Sequence, residues 1–189
     1  MNKQLALGSV LGAIVLFVWS AIAWMLIPWP GTPLRNFSNE DAVTQAIVAN
    51  ALQSGNYLLP NPDQKGLSSE QQKKATERMA RGPIVFAAVR LEPFDSMAKP
   101  LVIQFLTQLT VALLATFLLM QTSGLAYKSR VIFVTAIGVI IFVGGHVDEW
   151  NWWSFSNAYM LMQLGALVIG WFLASLVMAK FVSGKAAAA

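Results

Sequence analysis

Cysteine is absent from the 189 residues, histidine occurs once, and charged side chains make up only 12% of the chain. Without a thiol there is no disulfide, no thiolate nucleophile and no cysteine-bound zinc or iron–sulfur centre. A single histidine falls short of the three protein ligands that hold a catalytic zinc, and no HExxH-type pair is present. No phosphate-binding glycine loop or redox motif is present either. The formal net charge of +4 comes from scattered basic residues with no run of five. It reflects topology, and neither a nucleic-acid partner nor a cofactor is expected.

The charge deficit is concentrated in four apolar stretches, Leu5–Pro28, Pro100–Met120, Val131–Gly145 and Phe155–Phe181. None contains Asp, Glu, Arg or His, and the sole lysine, Lys180, stands at the end of the fourth. A helix of roughly 20 apolar residues crosses a bilayer core of about 30 Å, so the chain reads as an integral membrane protein. The first stretch exceeds the 7 to 15 residues of a signal-peptide core at about 23, and is expected to remain as a signal anchor. The third is the shortest and needs residues from 125 to His146 to fill its length. The expected fold is all-α: a four-helix transmembrane bundle with spans at 5–28, 100–121, 125–146 and 155–181. A small extracytoplasmic α/β cap occupies 29–99, and a disordered cytoplasmic tail occupies 182–189.

Orientation follows from basic residues in the short segments. Lys3, Lys128, Arg130, Lys180 and Lys185 have no acidic neighbours there, which puts both termini in the cytoplasm. The segment Trp29–Lys99 and a short turn, His146–Trp153, fall on the other side. Trp24, Trp29, Trp150, Trp152, Trp153 and Tyr159 then form a rim at that boundary. The lack of disulfides fits a bacterial inner membrane, with the cap in the periplasm.

Within 29–99, Ser38-Asn39-Glu40-Asp41 predicts a helix start of the capping-box type, with a stop at Gly55. Ser68-Ser69-Glu70-Gln71 predicts a second, polar helix to Arg81, closed by Gly82-Pro83. The apolar run Ile84–Val89 is rich in β-formers and is expected to pair with Tyr57–Leu59.

Three constellations are candidates for function. Gln104, Thr107 and Gln108, with Thr110 nearby, recur on one face of the second span, and Ser20, Asn157 and Gln163 lie at similar depth. Amides facing lipid are costly, so these groups are expected to turn inward, as structural bonds or as a polar pocket for a small solute or lipid headgroup. His146, Asp148 and Glu149 offer an imidazole beside two carboxylates, which suits a metal or a pigment ligand, against the simpler reading of an interfacial turn. Gly8, Gly12, Gly165 and Gly170 offer surfaces for close helix approach.

The four apolar stretches carry no acidic residue or histidine, which argues against ion-coupled transport and most catalysis. The leading expectation is a non-catalytic accessory, assembly or scaffold subunit, with lipids and other membrane-protein subunits as partners. The alternatives are a binding or passive-transport protein built on the glutamine pocket, and a metal- or pigment-binding protein built on His146.

Overall fold

Helix dominates the computed structural model, which describes residues 3–31, 33–122 and 124–182. In chain order the elements are α1 (Lys3–Met25), α2 (Glu40–Asn50), β1 (Gly55–Leu59), α3 (Ser69–Arg81), β2 (Val85–Val89), α4 (Ala98–Met120), α5 (Tyr127–Trp153) and α6 (Asn157–Phe181). Among the described residues, four helices, α1, α4, α5 and α6, are long and apolar enough to cross a membrane, so this is a multi-pass membrane protein. The chain divides into two compact units, 1–34 with 96–189, and 35–95. The expected tail at 182–189 lies, apart from Val182, outside the described residues, and Val182 itself is buried.

In the first unit α1 packs along both α4 and α6, and α6 also packs along α5, whereas α4 and α5 touch only sparsely. Neighbours run antiparallel. A Cβ at Gly8, near the start of α1, would meet Val182 beyond the end of α6 and Thr116 in the second half of α4. The start of α1 and the end of α6 therefore share one end of the bundle, the terminal end. The opposite end, where α1 leaves and α5 turns into α6, is the connector end.

Burial is concentrated at the terminal end. In α4 it begins at Ala112, and in α5 it is confined to Val134 and Gly138. Apolar side chains gain little by leaving lipid for protein, so close backbone approach and hydrogen bonding must hold the helices together. Glycines supply the approach. A Cβ at Gly138 would lie 2.6 Å from the Trp171 ring, one at Gly12 would lie 2.8 Å from the Met178 sulfur, and one at Gly170 would lie 2.6 Å from Trp19 Cδ1.

The buried hydroxyls of this unit bond to their own helices. Thr116 Oγ1 donates to Ala112 O at 2.7 Å, Ser9 Oγ to Leu5 O at 2.6 Å and Ser175 Oγ to Phe172 O at 2.6 Å. Such bonding back to the preceding turn spares each buried hydroxyl the cost of an unmade bond. At the terminal end Arg130 Nε donates to Ala179 O at 3.1 Å and Nη1 to Leu125 O at 3.2 Å. A guanidinium on the last carbonyls of α6 answers both their missing partners and the negative end of the helix dipole.

The second unit is built around an antiparallel ribbon that pairs Gly55 with Val89, Tyr57 with Ala87 and Leu59 with Val85. Its ends are tied by Ser54, whose hydroxyl accepts from Leu91 N at 2.8 Å and donates to Glu92 Oε2 at 2.5 Å. The Ser54 bond is the main reason the Glu92 carboxyl titrates below its ordinary value, helped by its own backbone and by Arg90. Ser68 and Gln71 form a reciprocal capping box at the start of α3, and Gly82 closes it with φ +68°.

Three expectations need correction. The cap of α2 is Asn39, whose Oδ1 accepts from Ala42 N at 2.9 Å, and not Ser38. That helix ends at Asn50, and Gly55 instead opens β1. The third span does not end at 146, because α5 continues to Trp153 and closes at Ser154 in the left-handed conformation. His146–Trp153 is thus helix, not turn. Gly144 and Gly145 do not break it, since their φ lie in the ordinary range and the space beside them is open.

Two outcomes follow from this packing. Gly170→Ala should destabilise the bundle by about 1–3 kcal/mol, because the Trp19 ring is pinned by its indole N–H bond to Ala166 O at 2.7 Å and cannot yield. Gly144→Ala, facing open space within a helix, should be neutral or gain up to about 1 kcal/mol; reversible unfolding in mixed micelles measures both. In Ser54→Ala the Glu92 pKa should rise toward the ordinary carboxylate value. A depressed folded-state pKa gives stability that is present above the unfolded value and lost as pH falls through the folded one, so the variant should lose that acid-side dependence. Carboxyl NMR titration reads the shift directly.

Candidate functional site

The connector half of the bundle, where packing is thinnest, encloses a cavity of about 170 Å³ lined by all four long helices. Helix α4 contributes Gln104 and Gln108, four residues apart and therefore on one face. Helix α1 contributes Ser20, α5 contributes His146 and α6 contributes Gln163. The remaining walls include the rings of Trp19, Trp24 and Trp171. Two constellations that look separate in the sequence, the glutamines and the histidine, thus meet in one place. The extra turns of α5 beyond 145 are what carry His146 there.

The polar groups differ in how well they are satisfied. Ser20 Oγ donates to Phe17 O at 2.8 Å, and Trp19 is held by Ala166. His146 Nδ1 lies 2.7 Å from Glu149 Oε2, one helical turn away, and its ring stacks on Phe142 at 6.1 Å between centroids. A carboxylate at that distance accepts the hydrogen bond of an Nδ1–H, and Nε2 is then the ring nitrogen with no hydrogen bond among the described residues. Gln163 Nε2 lies 3.5 Å from the same Nδ1, and as two donors they are neighbours and not a bonded pair. The side-chain amides of Gln104 and Gln108 have no hydrogen-bond partner among the described residues. Gln104 and Trp24 are the exposed lining residues, and Gln108 is half-buried.

Two expected members lie elsewhere. Thr107 Oγ1 donates to Ile103 O at 2.9 Å and stays outside the cavity, and Thr110 repeats the pattern with Leu106 O at 2.8 Å. Asn157 Oδ1 accepts from Trp150 Nε1 at 2.8 Å and lines a separate apolar groove with Met160 and Leu161. Asp148 is exposed, and among the described residues no three His, Cys, Asp or Glu side chains are grouped to hold a metal.

The four glycines all seat groups of the same chain. Gly8 and Gly12 face α4 and α6, Gly170 faces Trp19, and Gly165 lies against the Trp29 ring. Trp29 is locked by its indole donating to Ala23 O at 2.6 Å. Sequence reasoning passes over Trp19 and Trp171. The available signal is that both interrupt apolar runs well inside the spans, away from the boundary where tryptophan usually collects.

No family model matches the chain, and no curated protein or solved structure is significantly similar to it.

If the amides of Gln104 and Gln108 serve recognition and not cohesion, removing them should not weaken the fold. The double variant Gln104→Leu, Gln108→Leu should be as stable as wild type or more so, by up to about 2 kcal/mol, when unfolded in mixed micelles. A clear loss of stability would mark the amides as structural.

Proposed function

We propose that this is a non-catalytic membrane protein that binds a small uncharged ligand in the cavity between α1, α4, α5 and α6. One observation carries the reading: hydrogen-bonding groups from three helices converge on a cavity, and those of Gln104 and Gln108 have no protein partner. An unpaired amide in an apolar medium costs about 1–3 kcal/mol, and a ligand or ordered water offsets that cost when it fills the site. No Lys or Arg lines the cavity among the described residues, and the carboxylate of Glu149 sits against His146, which argues against a phosphate or another strong anion.

The accompanying topology is a bacterial inner membrane protein with both termini in the cytoplasm and 35–95 in the periplasm. Its support is the set Lys3, Lys128, Arg130 and Lys180 toward the terminal end, with acidic residues absent there.

A second reading, an accessory subunit of a larger complex, is favoured by the second unit. Helix α2 has no buried residue, and Ile47, Val48 and Leu52 are exposed, Leu52 at 95%. Apolar side chains left uncovered this way suit burial against another protein or a lipid surface.

Purification from the source membrane into nanodiscs, followed by native mass spectrometry, tests both readings. The pocket reading expects a stoichiometric small molecule in the wild type that is lost from Gln104→Leu, Gln108→Leu. Foreign subunits in fixed ratio, with no small molecule retained, would replace it with the accessory reading.

A further inference from the structure

The shape, depth and lining of the cavity narrow the ligand to one chemical class. An apolar cavity of about 150 Å³ holds a benzene molecule, so the 170 Å³ here is the size of a single six-membered ring with small substituents. Its walls carry three indole rings, from Trp19, Trp24 and Trp171, which favour a flat aromatic or conjugated guest in stacked or edge-on contact.

Depth excludes most water-soluble rings. At 1.5 Å per residue, Gln104 lies about 9 Å and Gln108 about 15 Å into α4 from its first residue, and Trp171 lies about 21 Å into α6. The cavity therefore reaches toward the middle of a hydrocarbon core of about 30 Å. Of its lining residues Gln104 and Trp24 are exposed, and Gln104 sits inside the span, so the cavity meets the lipid phase there.

The hydrogen-bonding groups come in two sets. Gln104 and Gln108 belong to α4, while Gln163 and His146 belong to α6 and α5 and lie within 3.5 Å of each other. Helix α4 packs along α1 and touches α5 only sparsely, so the two sets enter the cavity from different helix walls. A ring with oxygens on opposite edges satisfies both at once. Carboxamides both donate and accept, so the same groups serve a carbonyl or a hydroxyl oxygen.

We propose that the cavity is a binding site for the headgroup of a membrane-dissolved quinone or quinol, with its tail leaving past Gln104 into the lipid. This proposal rests on the pocket reading above and names its ligand.

The test uses the full chain in phosphatidylcholine nanodiscs and a decyl-tailed benzoquinone, with quenching of tryptophan fluorescence as the readout. Decylbenzene, which has the ring and tail but no oxygens, is the competitor. The expected result is saturable quenching that decylbenzene does not displace, weakened about tenfold or more in Gln104→Leu, Gln108→Leu and also in Gln163→Leu, since each loses hydrogen bonds on one side of the ring. Equal binding of decylbenzene would overturn the proposal, because the oxygens would then go unread. Absence of saturable quenching would also overturn it. In that case a different small molecule retained by wild type and lost from the double glutamine variant leaves the pocket reading standing, and no retained molecule at all removes both.

Discussion

Hydrocarbon offers no water, so every polar group that enters it must find its partner inside the protein, and most of this bundle is arranged around that requirement. The hydroxyls of Ser9, Thr116 and Ser175 bond back to their own helices. The indoles of Trp19 and Trp29 bond to Ala166 and Ala23 carbonyls, and Arg130 bonds to Ala179 O near the end of α6. The two indole bonds also fix large rings in space. The fixed rings then demand glycine opposite them, which is why Trp19 meets Gly170 and Trp29 meets Gly165.

This coupling of bonds and close contacts is uneven along the bundle. At the terminal end Gly8, Gly12 and Gly138 let three helix pairs approach, and α4 and α5 bury their only fully covered residues there. Toward the connector end α4 and α5 bury no residue, and the cavity lies in that half. Helix α4 has no glycine, and apart from Ala98 at its first position its small residues are the alanines at 112 and 115, both in the tight half.

How much of this was legible in the sequence depends on how local each signal is. The four spans follow from hydropathy alone, and α3 follows from Ser68 and Gln71, whose capping box is complete within four residues. The start of α2 was one residue off because Ser38 and Asn39 are both good caps and only the backbone decides between them. The end of α5 is not legible from hydropathy, because the apolar run stops at Gly145 while the helix continues through Asp148 and Glu149, whose carboxylates are unfavourable near a helix C-terminus. The structure offsets that penalty with the bond between His146 and Glu149 inside the last turns. Thr107 looked like part of a polar face but satisfies itself, whereas His146 looked isolated and is not. Periodicity puts residues on a face; it does not say which faces converge.

The unpaired groups around the cavity are hard to explain as packing. Leucine has nearly the volume of glutamine, suits lipid and protein alike, and would leave no amide without a partner, so nothing in the stability of α4 asks for Gln104 or Gln108. The same holds for Glu149, which opposes the helix dipole and contributes mainly by holding the Nδ1 proton of His146. That bond has one effect beyond α5 itself: it fixes the tautomer and leaves Nε2 as the available ring nitrogen. Groups that oppose local stability yet share one cavity are best understood through what they can bind together. An amide pair on one helix, an oriented imidazole and an amide on two others, and indole walls between them form a site with polar edges and aromatic faces. That arrangement, more than any single residue, is what the thinly packed half of the bundle encloses.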